Sequence, residues 1–242
     1  MELKFNMMKS VINPNIFRHT AVASEGFNNL CTIVHPLGKE GQYNGEVFIK
    51  KQCVGSFQLI IQEKSDYTQA DIDVSLFDPL NISKIMGIPR NHFEMSKGGY
   101  VVIYASGHHN GAYVTITRSG EKAESKEFDT RKLGKDDLVV FRPFHPGKYK
   151  LTNKVDGKEA SFAIEEKKER GYTNPAKLEP VTIPLTLKGF ELPGNGTLHP
   201  FQAMIIKPDI ACSLLMEMEK PKEQKKKAKA KAKIQEDRKS AG

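Results

Sequence analysis

The chain has 242 residues, of which 38% are hydrophobic and 27% charged, ordinary globular usage and enough for one large β domain or two small ones. The net charge of +8 is local: residues 220–242 hold ten Lys/Arg against three acids, which accounts for all but one unit of that excess. The body is therefore close to neutral, and the high pI does not mark a basic binding face on the fold.

Residues 1–40 are broken by Asn13-Pro14 and His35-Pro36 and read as an N-terminal arm or an irregular first strand. Residues 41–95 form a β region. In Ser56–Gln62, Phe57, Leu59 and Ile61 share one face, and over 71–77 Ile72, Val74 and Leu76 alternate with Asp71, Asp73 and Ser75. Strict alternation predicts strands with one buried and one wet face. A short helix is expected at 80–87, stopped by Gly87 and Pro89.

Residues 96–166 are the most readable part. Tyr100–Ala105 and Ala112–Thr117 are strands flanking the turn cluster Gly107-His108-His109-Asn110-Gly111. Glu121–Phe128 reads as a polar edge and Leu138–Arg142 as a buried run. Tyr149–Asn153 and Ser161–Glu165 form a hairpin around Asp156-Gly157. Residues 167–180 carry charge and two prolines and read as a linker. Residues 181–219 continue with Val181–Leu187, an edge strand because of Pro184, and the apolar run Phe201–Ile206. A short helix is expected at Cys212–Glu219. No repeat of fixed period is visible. The fold class is mainly β: antiparallel sandwich(es), short helices and a basic C-terminal tail, disordered or transiently helical, at 220–242.

In Phe141-Arg142-Pro143-Phe144-His145-Pro146-Gly147-Lys148-Tyr149 a buried run meets a Pro/Gly turn, and a Tyr follows two residues after the Gly. The segment resembles the approach to the penultimate strand of immunoglobulin-like and cupredoxin-like sandwiches. That resemblance, over about residues 98–166, implies that Tyr149 is a structural corner whose hydroxyl bonds nearby backbone. It carries over neither the disulfide nor the copper site. Leu151 stands where a disulfide Cys would be, and no Cys lies between Cys53 and Cys212.

The three Cys (31, 53 and 212) are odd in number, scattered and without CxxC, which predicts reduced thiols in a cytoplasmic setting. No secretory signal is recognised, and no run approaches the roughly 20 apolar residues of a membrane span. His108 and His109 are adjacent, so alone they do not converge on one metal. A metal would need partners such as His145 or Asp129, and the turn His108, His109, Asn110 reads instead as a possible recognition loop. Asp71 and Asp73 read as a solvated strand face. Cys31 and His35 lie four apart without a helical signal, and neither a nucleophile elbow nor a phosphate or dinucleotide loop is present. No catalytic residue, metal site or cofactor is assigned.

The strongest feature is the tail, where Lys225, Lys226 and Lys227 are consecutive and Lys229, Lys231 and Lys233 alternate with Ala. Lys all around a helix leaves no apolar face to pack, and such a run can neutralise phosphates without reading sequence. Three functions stay open. The first is a non-catalytic structural or interaction subunit, with a protein partner or a homo-oligomer and the tail on a polyanion. The second is a sequence-nonspecific nucleic-acid or polyanion-binding module, and the third a metal-binding or enzymatic sandwich.

Overall fold

Alternation of apolar and polar side chains builds most of the described residues into strands. The structure is a computed structural model and describes residues 19–26, 28–77, 91–106, 111–120, 126–165, 178–194 and 196–219. The strands of its first part are β1 Ala21–Ala23, β2 Cys31–Pro36, β3 Gly41–Ile49, β4 Gln52–Gln62, β5 Gln69–Asp73, β6 His92–Ser96, β7 Tyr100–Tyr104 and β8 Ala112–Arg118. Then come β9 Lys126–Asp129, β10 Leu138–Phe141, β11 Gly147–Asn153, β12 Glu159–Ile164, β13 Val181–Thr186, β14 Gly189–Phe190, β15 Thr197–Leu198, β16 Met204–Pro208 and β17 Leu214–Met218. A central sheet runs β14-β13-β16-β10-β2-β7-β5. One side sheet runs β6-β4-β3-β8-β9 and the other β15-β12-β11-β17-β1. The buried faces of all three feed one continuous core, from Ile33 and Ile103 to Phe141, Leu151 and Met216.

Several expectations change. Of the two readings of residues 1–40, an arm or an irregular strand, residues 31–36 take the second: β2 lies inside the central sheet, with Cys31 and Ile33 buried. Pro36 is tolerated because it is the last residue of its strand. The alternating run at 71–77 stops being a strand after Asp73 and becomes a 3-10 turn, Val74–Phe77. Asp73 causes the break. Its Oδ1 accepts from the backbone N–H groups of Ser75 (3.0 Å) and Ser106 (3.1 Å), and its Oδ2 accepts from the Ser106 hydroxyl. Asp73 is accordingly buried, and only Asp71 faces water.

Over 212–219 the chain is β17, not a helix. Leu and Met favour helices intrinsically, but β17 is laddered by β1 on one side and β11 on the other, and tertiary pairing overrides propensity. Pro184 sits one strand in from the edge, beside the two-residue β14, whose following Glu191 N–H donates to Pro184 O at 2.9 Å. The helix expected at 80–87 and most of the linker expected at 167–180 lie outside the described residues. The side sheet β6-β4-β3-β8-β9 draws strands from both sides of residue 95.

The two side sheets are built alike. In each, an edge strand pairs antiparallel with a second strand, that with a third, and the third with a hairpin partner whose other neighbour is parallel. The strands correspond in chain order: β1 to β9, β2 to β10, β3 to β11, β4 to β12, β5 to β13, β6 to β15, β7 to β16 and β8 to β17. Only β14 is extra. In the central sheet the same operation exchanges β2 with β10, β7 with β16 and β5 with β13.

Single hydrogen bonds repeat as well. Gly26 N–H to Ala23 O has its twin in Lys132 to Asp129, and Cys31 to Asn28 in Asp137 to Gly134. Ser119 to Gln42 recurs as Glu219 to Lys148. The Tyr43 hydroxyl donates to Lys39 O (2.8 Å), as the Tyr149 hydroxyl does to His145 O (3.0 Å), each Tyr two residues after a positive-φ glycine.

The chain is thus an internal duplication, residues 21–119 and 126–219, folded around a pseudo-two-fold axis through the β2–β10 ladder. The first strand of each half crosses over: β1 pairs with β17 of the second half, and β9 with β8 of the first. The sequence shows no fixed period because the offset varies along the chain, from 106 at Ile33/Val139 to 111 at Ile72/Ile183 and 103 at Ile103/Ile206; the β11–β12 hairpin is shorter than β3–β4. What survives is burial, with the same residue in Ile103/Ile206 and Ile72/Ile183 and a different one in Ile33/Val139.

Candidate functional site

Of the residues singled out by sequence, His108, His109 and Asn110 and the tail lysines Lys225, Lys226, Lys227, Lys229, Lys231 and Lys233 lie outside the described residues. Tyr149 is buried, its ring stacked on Phe162 at 5.5 Å. Burial pushes its phenol above the usual range, partly offset by its bond to His145 O.

Two other features could do something. The first is the face of the central sheet turned away from the core. Thr32 and Val34 on β2, Val102 on β7, Leu138 and Val140 on β10 and Ile205 on β16 stand there, all partly exposed. They are cross-strand neighbours: Val102 opposes Val34, Val34 opposes Leu138, Thr32 opposes Val140, and Val140 opposes Ile205. Tyr100, 47% exposed, and its partner Pro36 extend the patch. The equivalent faces of the side sheets are wet. One carries Gln42, Asn44, Glu46 and Gln58, the other Lys148, Glu159 and Glu217. An apolar row confined to one of three outer faces marks a contact surface.

The second is a cleft of about 600 Å³ where the halves meet at one end of the β2–β10 ladder. His35 Nδ1 lies 2.6 Å from Asp137 Oδ1, and Asp137 Oδ2 accepts from Gly134 N–H at 2.7 Å. A carboxylate acceptor requires the proton on Nδ1, so Nε2 is an acceptor in the neutral ring and a donor in the imidazolium. The imidazole stacks on Phe128 at 4.0 Å. Asp129 is gripped by Arg131 through Nε (2.9 Å) and Nη2 (2.6 Å), and that guanidinium lies 4.1 Å over the Tyr113 ring. Burial pushes the Asp129 carboxyl up, but the hydrogen bonds and charge of Arg131 more than offset this and hold it below the usual range. The structure gives His35 to Asp137, a partner more than a hundred residues away that only the β2–β10 register reveals.

All three thiols are free. Cys31 and Cys212 are buried and Cys53 is exposed. Burial raises the Cys31 thiol far above its ordinary value and pushes Cys212 up to about 12, helped there by the charges of Asp137 and Asp156. Neither buried thiol is poised as a nucleophile. Among the described residues no group of three or more His, Cys, Asp or Glu is arranged to hold a metal, and no helix is long and apolar enough to cross a membrane. No protein-family profile matches the sequence, no curated protein matches it, and no solved structure matches its fold.

Proposed function

We propose that this protein is a non-catalytic structural subunit that self-associates through the outer face of its central sheet, with its Lys-rich tail on a polyanionic neighbour. The observation that carries this reading is the contiguous apolar row Val102, Val34, Leu138 and its neighbours Val140 and Ile205, on a body whose other sheet faces are polar. The partner inferred is a second copy, because the row carries opposite charges at its two ends. Asp71 opposes Val102 at one end, and Lys207, next to Ile206, flanks Leu138 at the other. Two copies stacked face to face about an axis along the strands, with the sheets about 10 Å apart, set Lys207 of one across from Asp71 of the other with a lateral offset of no more than about one strand spacing. Each half is read as a sandwich, a five-stranded sheet over its share of the central sheet, which agrees with the antiparallel character of ten of the fourteen strand pairings and with a Tyr corner in each half.

The tail supports the second contact by charge alone, since Lys-rich runs bind phosphates through counterion release. The test is size-exclusion chromatography with light scattering on the full chain and on residues 1–219, at low and high salt. A dimer is expected in both forms, and Val34→Glu or Val140→Glu should give a folded monomer. A wild-type monomer at all concentrations would overturn the self-association. Polyanion binding that persists in the 1–219 form would overturn the role of the tail.

A further inference from the structure

The two halves offer an internal control, because most strand positions in one have a counterpart in the other. The β2–β10 ladder pairs Cys31 with Phe141 at one end, and its register continues to set His35 opposite Asp137 at the other. The pseudo-two-fold axis exchanges these ends, so Phe141 is the counterpart of His35, and Cys31 of Asp137. Both members of the Cys31–Phe141 pair are fully buried and apolar. At the other end the same backbone holds an imidazole and a carboxylate whose side chains are only 17% and 6% exposed. A well-packed apolar pair is ordinarily as stable as a buried ionic one or more so. The fold has an apolar solution for this place and uses it once; at the other end it keeps a polar pair that stability does not demand.

The divergence extends around the cleft. Lys132 occupies the place that Gly26 holds in the other half, Arg131 that of Glu25, and Asp129 that of Ala23. Each carboxylate of the cleft wall is already engaged: Asp129 by Arg131, Asp137 by His35 and Gly134, Glu127 by Lys39 at 3.4 Å. The donors are not. Lys132 is exposed and makes no ion pair among the described residues. Arg131 spends Nε and Nη2 on Asp129 and keeps Nη1, and His35 keeps Nε2. Spare donors over satisfied acceptors suit an anion.

We propose that the cleft at His35 is a binding site, absent from the other half, for a phosphate-type oxyanion, free or as the terminal group of a larger molecule. Arg131 and Lys132 donate to it, joined by Nε2 of the His35 imidazolium, while Asp137 holds the imidazole in orientation and Phe128 supports the ring.

The experiment is an NMR titration of the full chain, following the ring signals of His35, identified by their loss in the His35→Phe variant, with inorganic phosphate in one arm and glycerol 3-phosphate in the other. Watching this ring separates the cleft from anion binding by the Lys-rich tail. A saturable shift with either ligand is expected, and the arm that saturates first tells a free anion from a phosphate ester. Lys132→Glu should weaken binding by roughly fivefold or more, the scale of one exposed charge contact. The variant His35→Phe with Asp137→Cys, which copies the other half's pair, should keep or raise the melting temperature. No shift in either arm, or the same affinity in Lys132→Glu, overturns the site. A lower melting temperature for the doubly substituted chain also overturns it, since the pair would then serve the fold.

Discussion

In the first half of the chain Gly45 faces Phe57 across the β3–β4 hairpin; in the second, the equivalent pair is Leu151 facing Ala160. The Phe57 ring occupies the space that a side chain at 45 would need, and a Cβ added there would lie 2.0 Å from Cζ of that ring. In the other half the large residue comes from the other strand, and Leu151 fills the core over the small Ala160. The two halves reach a filled core by opposite assignments of volume to the same pair of backbone positions. A duplicated ladder thus conserves total volume at a site rather than the residue at it, in keeping with cores that tolerate repacking when volume and pattern are kept.

Breaking that compensation gives the largest expected effect. Gly45→Leu should destabilise the protein by about 3 kcal/mol or more, because Phe57 is wedged between Phe77 and Phe93 and cannot swing away. Phe57→Ala alone leaves a cavity and should cost about 3–5 kcal/mol. Together they recreate the second half's arrangement, and urea unfolding should show the double variant more stable than the sum of the single losses by about 1–3 kcal/mol. Strict additivity would mean that the two sites are not equivalent.

A smaller effect tests the exchanged first strands. Ser24, just after β1, donates its N–H to Leu214 O (2.8 Å) and accepts from Leu214 N–H through its hydroxyl (2.9 Å). Thr130, just after β9, makes the same pair of bonds with Val114, both at 3.0 Å. Both side chains are fully buried. Each hydroxyl therefore completes the ladder between one half's first strand and the other half's last. Ser24→Ala and Thr130→Val should each strand a buried N–H and cost about 1–3 kcal/mol, with similar changes in urea midpoint. A loss confined to one of them would show that one crossover contributes far more to stability than the other.

Much of this was legible in the sequence where period two is clean, as at Phe57, Leu59 and Ile61 or at Val101 and Ile103, because alternation reports burial directly. It failed where a side chain overrode the pattern. Asp73 turned the backbone by accepting three hydrogen bonds, and β17 was hidden by residues that favour helices in isolation. The duplication left only scattered echoes in the sequence, such as Gly41 and Tyr43 with Gly147 and Tyr149, at an offset that differences in hairpin and loop length then change. The His35–Asp137 pair had no local signal, since neither residue is near the other in sequence and only the β2–β10 register joins them. The counterpart of that pair, Cys31 with Phe141, is what makes its polarity informative, and it too requires the register.

The smallest expected effect concerns backbone alone. Gly98 opens the turn before β7 with φ +78°, and its counterpart before β16 is Phe201, held at φ +65°. Both turns close on the same bond, Gly99 N–H to Ser96 O in one and Gln202 N–H to His199 O in the other. A left-handed conformation costs a non-glycine residue roughly 1–2 kcal/mol, so the second half carries strain that the first avoids. Phe201 recovers part of it by stacking on Phe144 at 5.9 Å, and such a ring pair is worth about 0.5–1.5 kcal/mol. Phe201→Gly removes both terms and should change stability by no more than about 1 kcal/mol. Gly98→Ala adds strain with no ring to offset it, since nothing lies within 4 Å of a Cβ there, and should cost about 1 kcal/mol. A large loss in Phe201→Gly with none in Gly98→Ala would mean that the Phe144 contact, not the shared turn geometry, holds this corner of the second half.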